Sequence, residues 1–294
     1  MKKVIFKGCG TAIATPFNEK GVNFSEFKKL IEEQILNGVD SIIVCGTTGE
    51  SSCMTEKEKR DTRKCAVQTA NGRVPIIAGT GSNNTRPVIE MNKKVEELGV
   101  NGLLIVTPYY NKTTQKGLII HYKEIAKNTK LPIVLYNVPS RTGVNILPET
   151  AHELSKIENI VAIKEASGDL SQVAKIANLC RDNLNIYSGN DDQILPILSL
   201  GGIGVISVLS NIKPKYTHDI CQNFFEGNIE LATQMQLDAI PLINALFSEV
   251  NPIPVKAALN ICGYNYGDPR LPLISMSEEK KEKLTEILKE KHSI

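Results

Sequence analysis

The decisive stretch runs from Val161 to Gly168 and reads VAIKEASG. It follows the turn-like pair Glu158-Asn159, opens as an apolar β-type run and is closed by Ser167 and Gly168. Lys164 lies inside that run. An ammonium in an apolar strand is costly to desolvate, so such a lysine tends to be paired, expelled or made neutral. A neutral lysine amine attacks carbonyl carbons and forms Schiff bases. The plain alternative is a lysine that leaves a strand end for solvent. What favours the chemical reading is the company Lys164 keeps elsewhere in the chain.

Outward from this stretch, short β-type runs recur about every thirty residues. On the N-terminal side they are TAIATPF from Thr11, SIIVCG from Ser41, VPIIAGTG from Val74, GLLIVTP from Gly102 and LPIVLYNVP from Leu131. The run around Lys164 is IVAIKEAS from Ile160, followed by NIYSGND from Asn185 and GVISVLSN from Gly204. Most are continuous Val/Ile/Leu stretches, as expected of parallel strands covered on both faces. Helical patterns lie between them. Residues 24–36 place apolar side chains at 24, 27, 30, 31 and 35, on one face. The segment 55–70 starts with Thr55 and acidic residues, an N-cap signal, 85–98 ends in Leu-Gly, a C-cap signal, and 147–157 carries Pro148 near its start.

Eight strand–helix units predict an α/β fold, the (β/α)₈ barrel. An open doubly wound sheet is the alternative, disfavoured because no Gly-x-Gly-x-x-Gly follows the first strand. Helices predicted over 213–226, 229–249, 253–261 and 277–290 continue past the eighth unit, with GYNYGDPRLPL as a loop. The expected organisation is a catalytic barrel over 1–224 and a C-terminal helical domain over 225–294.

Bulk properties exclude several classes. With 34 basic and 32 acidic residues the formal charge is +2, too balanced to attract nucleic acid or an anionic membrane. The opening MKKVIFKGCG is too short in apolar residues for a signal peptide, and no uninterrupted run reaches membrane-spanning length. The seven cysteines are odd in number and form no CxxC pair, so reduced thiols in a cytoplasmic protein are expected. His121, His152, His218 and His292 lack metal-ligand spacing and read as surface or packing residues. Asp191-Asp192 has no third ligand nearby and reads as a loop or helix cap.

In such a barrel, reactive groups gather at the C-terminal ends of the strands. Those ends carry Gly46-Thr47-Thr48-Gly49-Glu50, Thr107-Pro108-Tyr109-Tyr110-Asn111, Tyr136-Asn137-Val138-Pro139 followed by Ser140-Arg141, then Lys164, Ser188-Gly189-Asn190 and Ile206. Imine formation moves protons on and off a carbinolamine. Tyr136 is a suitable relay, and Thr47 and Tyr110 can extend it to solvent. Arg141 offers a forked pair for a carboxylate. Backbone N–H groups around Thr47, Thr48 and Gly49 can form an anion-binding nest.

The segments GTTGES, VTPYYN, LYNVPSRTG, IKEASGD, GGIGVISV and NPIPVKAAL, in this order along nearly the whole chain, resemble the pyruvate-dependent class I aldolases of the dihydrodipicolinate synthase and N-acetylneuraminate lyase family. GTTGE and Arg141 favour the synthase branch. The resemblance implies that pyruvate forms a Schiff base with Lys164, and that the derived enamine attacks L-aspartate 4-semialdehyde. The product would be 4-hydroxy-tetrahydrodipicolinate, on the route to diaminopimelate and lysine. It also implies a proton relay of Tyr136, Thr47 and Tyr110, the last from a neighbouring subunit. Thr48 matches the pyruvate-carboxylate contact, Gly189 and Ile206 match backbone contacts, and Arg141 matches the residue binding the semialdehyde carboxylate. A homotetramer built as a dimer of dimers is implied, and no metal or organic cofactor. A sibling aldolase using another aldehyde, or a catalytically silent sensor, are the rival readings.

Many relatives of this kind are inhibited by lysine. Ser51, Ser52, Asn83 and Tyr109 fit the pattern implied for that effector site. Glu56 and Lys59 stand where inhibited enzymes usually have histidines, and Pro87 replaces a glutamate. Losing an anion and gaining Lys59 disfavours a cationic ligand, so weak or absent lysine inhibition is expected.

Overall fold

The computed structural model describes residues 2–290. Eight parallel strands close a barrel: β1 (Gly8–Ala12), β4 (Ser41–Val44), β5 (Ile76–Gly79), β6 (Gly102–Val106), β7 (Ile133–Asn137), β8 (Ile160–Glu165), β9 (Asn185–Ser188) and β10 (Gly204–Ser207). Successive strands pair in chain order, and β10 returns to β1, with Gly10 opposite Ile206. A small antiparallel hairpin, β2 (Phe17–Asn18) and β3 (Gly21–Val22), sits between β1 and β4 in sequence.

The helices between strands are α1 (Phe24–Leu36), α2 (Glu56–Ala70), α3 (Thr85–Glu96), α4 (Gln115–Lys127), the short α5 (Pro139–Thr142), α6 (Pro148–Ser155), α7 (Leu170–Cys180) and α8 (Ile194–Ser199). They are followed by α9 (Pro214–Phe225), α10 (Ile229–Leu246), α11 (Ile253–Ile261) and α12 (Glu278–Glu290). Local chemistry explains their ends. Thr55 and Glu58 form a reciprocal capping box at α2, and Pro148 occupies the first turn of α6.

The first strand begins three residues before the apolar run that starts at Thr11, because its early positions demand glycine. A Cβ at Gly10 would lie 2.7 Å from both Ile43 Cδ1 and Phe6 Cζ. At Gly8, φ is +115° and a Cβ would meet the Asp40 carboxylate. Close packing thus replaces the Val/Ile signal there.

Alternation along the strands divides the core. Ala12, Ile43, Ile77, Leu104, Tyr136, Ala162 and Ile206 belong to the cluster inside the barrel. Ile42, Ile76, Leu103, Leu135 and Ile163 belong to the larger layer under the helices. The C-terminal helices pack a separate cluster, including Leu242, Leu246, Val255, Leu284 and Leu288, against Val208 and Leu209. Two of the three histidines within the described residues pair: His121 contacts the Thr85 hydroxyl and His218 the Asp40 carboxylate. His292 lies outside the described residues.

Candidate active site

Lys164 is the fifth residue of β8 and, by the two-residue period of a strand, shares the barrel's inner face with Ala162 and Ala166. It is 5% exposed, and its ammonium lies over the Tyr136 ring, 4.5 Å from the centroid. The solvent-directed alternative therefore fails. Space for the side chain depends on Gly189, where a Cβ would sit 3.1 Å from Lys164 Cε and 2.6 Å from Ala166 Cβ. On the outer face the neighbouring Glu165 accepts from Asn137 Nδ2, the Ser167 N–H and Gln172 Nε2, which clamps the ends of β7 and β8 together. Burial pushes the Glu165 carboxyl above its ordinary range, against those donors.

A cavity of about 190 Å³ opens above Lys164. Thr47, Thr48, Tyr136, Arg141, Lys164 and Gly189 all line it. The GTTGE segment wraps one side between two left-handed residues, Cys45 (φ 55°) and Glu50 (φ 51°). Thr48 Oγ1 accepts from Asn251 Nδ2 at 3.1 Å. Arg141, on α5, donates from Nη2 to the Asn251 carbonyl at 3.3 Å. Asp191, read from sequence as a capping residue, is buried and accepts from the Val208 and Leu209 N–H groups at the start of the turn 209–211. Burial raises its carboxyl, opposed by those donors and by the charge of Lys164.

This arrangement brings a buried amine, a phenol, two threonine hydroxyls and a guanidinium into one small chamber at the C-terminal rim of the barrel. Comparison with known proteins covers nearly the whole chain. The profile of the Dihydrodipicolinate synthetase family matches residues 5–291. The chain belongs to that family. The 4-hydroxy-tetrahydrodipicolinate synthase 1 of Clostridium acetobutylicum is 58% identical over 275 residues, covering 94% of each chain. The 4-hydroxy-tetrahydrodipicolinate synthase of Thermoanaerobacter pseudethanolicus is 54% identical over 285 residues, 97% of this chain and 96% of that one. Among solved structures, the dihydrodipicolinate synthase of Thermotoga maritima has a TM-score of 0.97 at 44% identity, covering 99% of this chain and 100% of that one.

Two of the family-matched positions stand outside the chamber. Ile206 is fully buried in the barrel interior, on β10, and its side chain does not line the cavity. Tyr110 is 91% exposed, at φ 67°, on the loop after β6. In a single chain it lines neither this chamber nor the cleft beside it.

A second, larger cleft of about 440 Å³ adjoins the chamber, sharing Thr47, Tyr136, Arg141 and Asn251 with it. Ser51, Ser52, Glu56, Lys59, Pro87 and Tyr109 line its outer part. Lys59 Nζ bonds Glu56 Oε1 at 2.9 Å. Asn83 is placed nearby through its carbonyl, which accepts from Asn111 Nδ2.

Sequence reading missed the partners of the GTTGE segment. Glu50 Oε1 pairs with Lys256 Nζ at 2.8 Å, both side chains fully buried. Burial pulls the Lys256 ammonium below its ordinary value, opposed by Glu50. The signal existed: Lys256 sits inside the apolar run PVKAAL, as Lys164 sits inside VAIKEA.

Proposed function

We propose that this chain condenses pyruvate with L-aspartate 4-semialdehyde, using Lys164 as the Schiff-base nucleophile. It is an enzyme of the class I aldolase-type lyases, and its relatives are named for the synthase reaction. The observation that carries the assignment to these residues is Lys164 itself, buried at the barrel rim over Tyr136 inside a chamber of substrate size.

The chemistry follows from the groups present. The neutral Lys164 amine adds to the pyruvate C2 carbonyl and gives a carbinolamine. Tyr136 and Thr47 carry protons to the departing hydroxyl, water leaves, and a protonated imine remains. Thr48 and the N–H groups around it hold the pyruvate carboxylate. Loss of a C3 proton gives the enamine, the iminium having served as electron sink. The enamine carbon attacks the aldehyde of the semialdehyde, whose carboxylate Arg141 holds. The substrate amino group then adds to the imine carbon, closes the ring and expels Lys164.

Tyr110 completes the relay from a neighbouring subunit in this reading, which its exposure in the single chain supports. The assembly is then a homotetramer of paired dimers. The proposed split at 224/225 falls one residue before the end of α9, and is supported by the separate cluster that α10, α11 and α12 pack. Among the described residues no helix is long and apolar enough to cross a membrane, and a cytoplasmic location fits the reduced cysteines.

Steady-state turnover with both substrates, the product reduced by a coupling reductase and NADPH, tests the assignment. A kcat of about 1–10³ s⁻¹ is expected. Pyruvate adduct formation without turnover would transfer the reaction to another aldehyde.

A further inference from the structure

The GTTGE segment is held from the C-terminal region at two points, one just before α11 and one on it. Asn251, immediately before α11, donates to the Thr48 hydroxyl. Lys256, in the first turns of α11, pairs with Glu50. Glu50 is held at both oxygens: Oε1 accepts from Lys256 at 2.8 Å and Oε2 from the Arg270 N–H at 2.8 Å. Lys256 also donates to the Asp268 carbonyl at 3.0 Å, and lies 4.4 Å from the Phe17 ring centroid. Arg270 covers the same ring at 4.0 Å and forks onto Glu58 of α2, at 2.9 and 2.6 Å.

A fully buried ion pair is weak evidence for stability, because desolvation offsets its attraction. Its strength is geometric. Glu50 adopts the left-handed backbone conformation, which a β-carbon disfavours and which persists only where surroundings over-determine it. Both carboxylate oxygens are fixed, so the turn 47–50, closed by the Glu50 N–H on the Thr47 carbonyl at 3.0 Å, is fixed as well. That turn carries Thr47 and Thr48 into the chamber.

We propose that Glu50 and Lys256 are positioning residues for the pyruvate site: the buried pair, braced by Arg270, sets the Thr47–Thr48 turn at the distance from Lys164 that pyruvate requires. The inference rests on the assignment of Thr48 to the pyruvate carboxylate. It separates pyruvate affinity from the intrinsic reactivity of Lys164, which is anchored independently on β8.

The test uses Glu50→Gln, Lys256→Met and the double variant, all near-isosteric. Each single change leaves one buried charge unpaired and lowers Tm, whereas the double variant removes both charges and recovers Tm. The pyruvate KM, and the pyruvate concentration for half-maximal borohydride trapping on Lys164, are expected to rise about tenfold in the double variant as in the singles, since a loosened turn misplaces its donors. Because the same turn carries Thr47 of the proposed relay, kcat is expected to fall with it, and the trapping concentration, read at equilibrium without turnover, isolates the effect on pyruvate binding. Arg270→Ala, at a partly exposed position, keeps the N–H that Glu50 accepts but removes the side-chain bonds to Glu58 and the Cys53 carbonyl that hold that N–H in place; it tests the brace if the double variant fails to fold, and its pyruvate KM should rise about threefold. A wild-type pyruvate KM in the double variant, or in Arg270→Ala should that be the one that folds, overturns the inference and makes the pair purely structural. Wild-type protein that traps no pyruvate overturns the functional assignment itself.

Discussion

Lys164 and Tyr136 are direct register partners across β8 and β7, and the lysine ammonium lies 4.5 Å from the centroid of the tyrosine ring. Parallel pairing fixes this relationship: both residues point into the barrel at the same height, so the amine and the phenol belong to one chamber in every turnover. In the proposed reaction this places the phenol to move protons for an imine at Lys164.

Tyr136→Phe keeps the ring over Lys164 and removes only the hydroxyl. General acid–base catalysis of this kind contributes about 10²–10⁴-fold, so kcat should fall within that range while pyruvate is still trapped on Lys164 by borohydride. Stopped-flow and steady-state rates, with intact-mass detection of the adduct, check the split. A kcat within a factor of two of wild type would remove Tyr136 from the relay.

Arg141 lies on the chamber wall, its guanidinium anchored through one nitrogen to the Asn251 carbonyl. Arg141→Ala should raise the semialdehyde KM about tenfold to a hundredfold, as expected for losing a charge-assisted hydrogen bond. The pyruvate KM should change little. Equal loss for both substrates would show that Arg141 supports the fold of the rim rather than one carboxylate. No change with the semialdehyde would favour a sibling aldolase.

L-Lysine should inhibit weakly or not at all. The outer cleft presents Lys59, held by Glu56, and the uncharged Pro87. A cationic amino acid gains no free anion there and meets a resident ammonium. Turnover measured against increasing lysine should stay flat through the submillimolar range, and half-inhibition there would contradict this.

Glu58 links acid stability to the brace described above. Its hydrogen bonds from Arg270, with those of Thr55, hold its carboxyl down from 4.5 to about 2. The unfolded chain therefore takes up a proton before the folded one does. The stabilisation is complete above about pH 4.5 and is lost as pH falls toward about 2. The Tm advantage of wild type over Glu58→Gln should shrink across that window. A difference independent of pH would mean that the hydrogen bonds matter and the charge does not.

Much of this was legible along the chain. The helix over 24–36 was readable to the residue, because its apolar face is regular, and 253–261 likewise. The rim residues were readable because each ends a strand. The start of β1 was not, since Gly8 and Gly10 carry no side-chain pattern and their packing against Asp40, Phe6 and Ile43 is tertiary. The grip of α11 on the GTTGE segment was hidden for the same reason: Asn251 and Thr48 are 203 residues apart, and Glu50 and Lys256 are 206 apart. The place of Tyr110 was the opposite case. The motif marks it, and the single chain leaves it exposed.

Everything proposed for the chamber turns on Lys164 as the Schiff-base nucleophile. Borohydride reduction of the protein with pyruvate, followed by peptide mapping, tests it most directly. One pyruvyl adduct per chain is expected, on the peptide containing Lys164, absent in Lys164→Met although that variant folds. An adduct on another lysine, Lys256 included, or no adduct at all, would contradict it.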